Sequence, residues 1–297
     1  MGGSRGRGLA LAFGTAVISG VSVFVNSYGV RVVRDATVYT TAKNLVAAVV
    51  LAVLLVGARR TKLQLPRRSW RGLLAVAIVG GSVPFVLFFS GLARASSTHA
   101  AFVNKTLVVW VALLAVPLLG ERLGFLHYAA IGFLLVGQAM LGGGLAGFRF
   151  GSGELMILAA TLLWAIEVIL VKKLIGAVPP DVLAVARMGL GVVLLICWVA
   201  VSGHWGALTG LTWEGWRWAL LTGLLLAGYV ATWYRALALA PAVDVTAVLV
   251  IAAGITATLD AIVKGAVITP QAGTGIALLL AGAGLVAVSR RTPVLVR

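Results

Sequence analysis

One carboxylate stands alone in the middle of an apolar stretch, and it is the first residue of this chain that could do chemistry. In GELMILAATLLWAIEVILVKKLIG, Gly153 to Gly176, Leu155 to Val171 is apolar except for Thr161 and Glu167. Trp164 precedes the glutamate by three residues, and Lys172–Lys173 closes the stretch. A charge at bilayer depth costs about 2.5–3.5 kcal/mol, so Glu167 must face protein or a water-filled cavity. A carboxyl so placed can carry a proton or hold a cation.

Other polar residues sit in similar company. Lys105, next to Asn104, lies some seven residues into an apolar stretch with no acid four residues away, so it points to the interior. His99 and Asp244 each stand just inside a helix start, where Asp244 also suits the helix dipole. His99 is read as a packed residue or a proton shuttle. Ser19, Ser22 and Asn26 share one helix face at i, i+3, i+7 spacing, as helix–helix glue or as cavity lining. Phe85, Phe88, Tyr229 and Trp233 lie deep in two other stretches, and an aromatic-lined cavity for an amphiphilic substrate is the sharper reading. Pro84 frees a carbonyl one turn back and can kink its helix. Lys43 and Arg187 lie near helix ends and are expected to snorkel to the interface. Asp260 and Lys264, at i, i+4, are expected to neutralise each other.

The elements that hold these residues are membrane spans. Of 297 residues, 61% are hydrophobic and 11% charged, a composition outside the soluble range. Ten spans are predicted, at 8–30, 37–57, 72–93, 98–119, 125–144, 153–173, 181–202, 215–238, 243–263 and 271–289. The first reads as a retained helix, not a cleaved leader. With the N-terminus inside, 15 of the 24 basic residues fall in inner segments and 6 in outer loops, leaving Lys43, Lys105 and Arg187 within spans. That bias predicts a multi-pass protein of the inner or plasma membrane with both termini cytoplasmic. The net charge of +16 is therefore no nucleic-acid footprint.

An offset of 145 residues superimposes the two halves without a gap, pairing Gly120 with Gly265, Leu134 with Leu279 and Gly137 with Gly282. The turns RASST and APAVD fall in register, and His99 and Asp244 become repeat mates. Five spans per half is an odd number, so residues 1–145 and 146–297 insert with opposite orientation, and the substrate site falls between them near the midplane. The glycine-bearing fifth and tenth spans read as packing or dimer helices, leaving monomer and homodimer both open. Three histidines, one cysteine (Cys197) and no HExxH, GxSxG or Walker loop leave no catalytic set, no cofactor and no metal site to propose.

This pattern resembles the EamA-type drug/metabolite transporters. The likeness rests on LARASST and ALALAPAVD leading into the fourth and ninth spans, and on VPLLGERLGFLHYAAIGFLLVGQAML closing the first half. Within that superfamily it looks most like the YddG-like exporters of amino acids and small toxic compounds. The resemblance implies a basket of ten helices, an all-α membrane fold. It also implies a central cavity from helices one, three, four, six, eight and nine, and export from the cytoplasm. Ala266 stands where Glu121 has its repeat mate, which makes Glu121 architectural. AIEVILVKKL is also similar to the first helix of the four-span multidrug pumps, whose glutamate binds proton and cation alternately.

Three functions follow as expectations. The first is a secondary transporter, without ATP, that exports amino acids (aromatic ones included) and related small amphiphiles. The second is proton-coupled efflux of drugs or cations through Glu167. The third, exchange of sugar phosphates or nucleotide sugars, needs several cavity-facing Lys or Arg, and in sequence only Lys105 clearly qualifies.

Overall fold

The computed structural model describes residues 2–57, 69–95, 97–142 and 150–289. Arg59, Arg60, Lys62, Arg67, Arg68, Arg149, Arg290, Arg291 and Arg297 of the charge count, and Ser96 of the first turn, lie outside them. The described residues form α1 (Gly2–Val33), α2 (Ala36–Gly57), α3 (Ser69–Leu92), α4 (His99–Leu119), α5 (Phe125–Leu141), α6 (Ser152–Leu174), α7 (Pro180–Val201), α8 (Trp213–Leu239), α9 (Ala242–Lys264) and α10 (Pro270–Val288). All but α5 are long and apolar enough to span a bilayer, and α5 has 17 residues. Each predicted span has its helix.

Local chemistry sets the boundaries. Asp35 opens α2, its Oδ1 accepting from the Thr37 and Val38 amides at 3.0 Å each, the geometry of an N-cap. Its Oδ2 lies 2.5 Å from His204 Nδ1, tying this turn to the α7–α8 connection. Gly120 and Gly265 end α4 and α9 at φ 67° and 68°, a left-handed stop that favours glycine. They are repeat mates. Thr269 then caps α10, its Oγ1 accepting from Ala272 N at 3.2 Å.

Helix packing obeys the repeat. α1 lies along α8 and α9, and its mate α6 lies along α3 and α4. α2 packs on α8 as α7 packs on α3, and α5 packs against α10. The halves therefore interlock. In the α5–α10 seam an added Cβ on Gly275 would sit 2.7 Å from the Gly137 carbonyl, and one on Gly282 would sit 3.0 Å from that of Ala130. Small residues let these two backbones meet closely.

Three spans are irregular at mid-depth. α4 breaks at Thr106 and α9 at Val250–Ile251, positions matched by the repeat, where hydrogen bonds tighten to i−3 (Thr106 N to Val103 O, Val250 N to Ala247 O, both 3.2 Å). α3 carries a π-turn at Ala77–Ser82 just before Pro84. Irregular backbone at this depth persists only inside protein or along a cavity.

Candidate functional site

The π-turn builds one wall of the site. In a regular helix the Gly80 carbonyl would accept from residue 84, but Pro84 has no N–H. Two side chains from other helices donate to it: Trp164 Nε1 of α6 at 3.2 Å and Arg187 Nη2 of α7 at 3.1 Å. Close approach requires glycine here, since a Cβ on Gly80 would fall 2.5 Å from Glu167 Cγ, and one on Gly81 2.3 Å from the Arg187 carbonyl.

Glu167 is thereby engaged. Its Oε1 accepts from Tyr234 Oη and lies 3.7 Å from Arg187 Nε, and both charged groups are buried. The expectation that Arg187 snorkels to an interface is corrected, and so is that for Lys43. Each sits about 10 Å along its helix from the start, beyond easy reach of the surface, and each finds polar company inside. Lys43 Nζ donates to Asn26 Oδ1 at 3.2 Å and lies over the Tyr39 and Phe89 rings at 5.5 and 5.8 Å. The depth argument applied to Lys105 would have placed both residues correctly.

These groups face a cavity of about 260 Å³ between the repeats. Ser19, Ser22 and Asn26 (α1), Phe85 (α3), Asn104 and Lys105 (α4), Trp164 and Glu167 (α6), and Tyr229 and Trp233 (α8), all singled out in sequence, line it. Lys43, Arg187, Thr246 and Val250 join them. Tyr229 and Trp233 stack with centroids 6.0 Å apart, and Phe85 meets Trp164 edge-on at 5.6 Å. Both broken helices contribute at their breaks.

Phe88, His99 and Asp244 lie elsewhere. Phe88 backs the wall, its ring 5.7 Å from that of Trp164 and packed near Ala100, Val103 and Ile157. His99 pairs with Glu154 at the start of α6, 3.5 Å apart. Asp244 pairs with Arg5 at the start of α1 at 2.8 Å and with His127 at the start of α5 at 3.3 Å. These two pairs are related by the repeat, α4 to α6 and α9 to α1, with the sign of charge exchanged.

The two ends of the cavity differ. Every residue from Ala242 to Ala252 on α9 is buried, whereas His99, Phe102, Asn104 and Lys105 on the matching part of α4 are partly exposed. The α9 end is held shut by several bonds. Glu121 accepts from the Ala242 and Val243 amides at 2.6 and 3.2 Å, which gives it the architectural role expected of it. Lys172 donates to the Leu237 and Ala240 carbonyls at 2.9 and 3.0 Å, and Arg5 to the Val286 carbonyl at 2.8 Å. Arg5, Glu121, His127, Lys172 and Asp244 also line a second, polar cavity of about 330 Å³ on this side. Among the described residues no group of three His, Cys, Asp or Glu could hold a metal ion.

A repeated ten-helix chain with broken helices at a central cavity matches a known family in sequence. The EamA-like transporter family model aligns with residues 6–143 and again with 151–288. The chain belongs to the EamA-like transporter family. Both copies of the family unit coincide with the two five-helix repeats. An uncharacterized transporter of Synechocystis sp. is 27% identical to this EamA-like chain over 175 residues, 55% of this chain and 49% of that protein. The match thus spans about half the length of that curated relative. A solved crystal structure superimposes with a TM-score of 0.74 at 21% identity, over 95% of this chain and 98% of that one. That likeness shows an all-helical fold, and the membrane-length apolar helices together with the family match make the chain a multi-pass membrane protein with two copies of the EamA unit.

Proposed function

We propose that this EamA-like transporter moves small amphiphilic metabolites, amino acids among them, out of the cytoplasm by alternating access. The observation that carries the reading is the cavity itself. It sits where both repeats break, with an aromatic wall of Phe85, Trp164, Tyr229 and Trp233 opposite a polar edge of Ser22, Asn26 and Asn104. Such a site grips an apolar ring and a polar head at once. Residues 1–145 and 146–297 are the units that rock around it. With both termini on the cytoplasmic face of the inner or plasma membrane, the closed α9 end faces the cytoplasm, and the conformer is outward-facing.

Proton-coupled cation efflux through Glu167 fits less well. A carrier carboxylate must be free to exchange proton for substrate, and this one is bonded to Tyr234 and faces Arg187. Uptake of labelled amino acids into proteoliposomes, with and without an imposed pH gradient, tests the choice. Saturable flux that ignores the gradient is expected. Flux that follows the gradient and is lost in Glu167→Gln would transfer the function to the proton-coupled reading.

A further inference from the structure

The cavity carries more positive charge than its own residues neutralise. Among the described residues, Lys43, Lys105 and Arg187 line it against a single carboxylate, Glu167. Arg187 is matched by Glu167, so three cations less one anion leaves two positive charges. Lys43 has only the neutral Asn26 amide and two ring faces. Lys105 has no hydrogen-bond or ion-pair partner among the described residues. Two ammonium groups in one cavity repel each other, and a cationic substrate would add to that repulsion. An anion would relieve it and complete both hydrogen-bonding shells.

We infer that Lys43 and Lys105 form the head-group subsite for an organic anion, a carboxylate attached to an aromatic or other apolar body that lies on the Trp164–Tyr229–Trp233 wall. This deepens the proposed function and rests on it: amino acids enter through their carboxylate, and the one lining carboxylate, Glu167, is already engaged by Arg187 and Tyr234. A lysine pair suits this role because each ammonium is a mobile point charge that follows the head group without a fixed fork geometry. Asn26 on α1 orients Lys43 on α2, and Lys105 on α4 lines the same cavity. Substrate bound there contacts both repeats, because the aromatic wall comes from α6 and α8.

A ligand series that differs in charge alone tests this on the purified full-length protein: 3-phenylpropionate, phenylalanine and 2-phenylethylamine, by calorimetric titration and by competition with labelled phenylalanine uptake. Affinity is expected to fall in that order. Lys105→Gln should weaken 3-phenylpropionate at least tenfold while leaving 2-phenylethylamine unchanged or tighter. Lys105→Arg should restore most of the loss, which separates a charge role from a folding defect, and Lys43→Gln provides a second, independent variant. Equal affinity across the series, or an order unaltered by Lys105→Gln and Lys43→Gln, overturns the anion subsite while leaving the transporter reading in place. Wild-type protein that neither binds nor moves any of the three compounds overturns both.

Discussion

Arg187 donates to the carbonyl of Gly80, in the π-turn just before Pro84. The buried α7 guanidinium in turn neutralises Glu167 on α6. Three helices thus meet at one carbonyl beside the cavity.

Removing Arg187 leaves Glu167 as an uncompensated buried charge. Arg187→Met is expected to destabilise the protein by about 3–5 kcal/mol. The double variant Arg187→Met with Glu167→Gln should recover much of that loss. Differential scanning fluorimetry in detergent reads the result, and a double variant no better than the single one would count against the pairing.

The close approach of α3 to α7 predicts a sharp contrast among glycine substitutions. Gly81→Ala places a Cβ 2.3 Å from the Arg187 carbonyl, while at Gly228 the nearest atom to an added Cβ is 3.6 Å away. Gly81→Ala should therefore lower the melting temperature and weaken Glu167–Arg187 together. Gly228→Ala should be tolerated. Comparable melting curves for the two variants would contradict the packing described here.

Asp244 holds the closed end through Arg5 and His127. Thr246, two residues further along α9, lines the cavity and is 2% exposed. On a Cys197→Ser background, Thr246→Cys is expected to react slowly with a water-soluble thiol reagent, and at least tenfold faster once Asp244→Asn is added. The charge loss weakens the closed state relative to the alternative, which is a shift in population. Unchanged labelling would show that the Arg5–Asp244 contact does not restrain this end.

Asp35 predicts a pH dependence confined to acid. Partial burial pushes its carboxyl up, but hydrogen bonds from Val38, His204 and Thr37 outweigh that and hold it below its ordinary value of 3.8. A folded pKa below the unfolded one adds stability that is full above the unfolded value and is lost as pH falls through the folded one. Asp35→Ala should cost about 1 kcal/mol through the lost cap. Measured against the parent protein, that difference should be present in full above the ordinary carboxylate value. It should shrink only below pH 3.8. A difference that disappears near neutral pH would assign the effect to another group.

Much of the architecture is legible in the linear chain, because bilayer insertion depends on local hydrophobicity and length. Ten apolar stretches, the 145-residue offset and the mated glycines Gly120 and Gly265 predict ten helices, two repeats and matching ends of α4 and α9. Depth along a span also marks Lys105, Trp164 and Glu167 as interior residues, since a polar group far from either interface has nowhere else to go.

The partners of those residues were decided by tertiary structure alone. Glu167 alone in its span reads as a free carboxylate; folding brings Arg187 and Tyr234 to it from 20 and 67 residues away. His99 reads as a packed residue or a proton shuttle and Asp244 as a helix-dipole partner, yet each is drawn to a charge at the start of another helix, Glu154 and Arg5. Hydrophobicity along the chain determines which segments enter the membrane and how deep each polar group lies. Which of those groups meet depends on the rotation and crossing of packed helices, and there the requirement to satisfy buried charges and carbonyls decides the outcome.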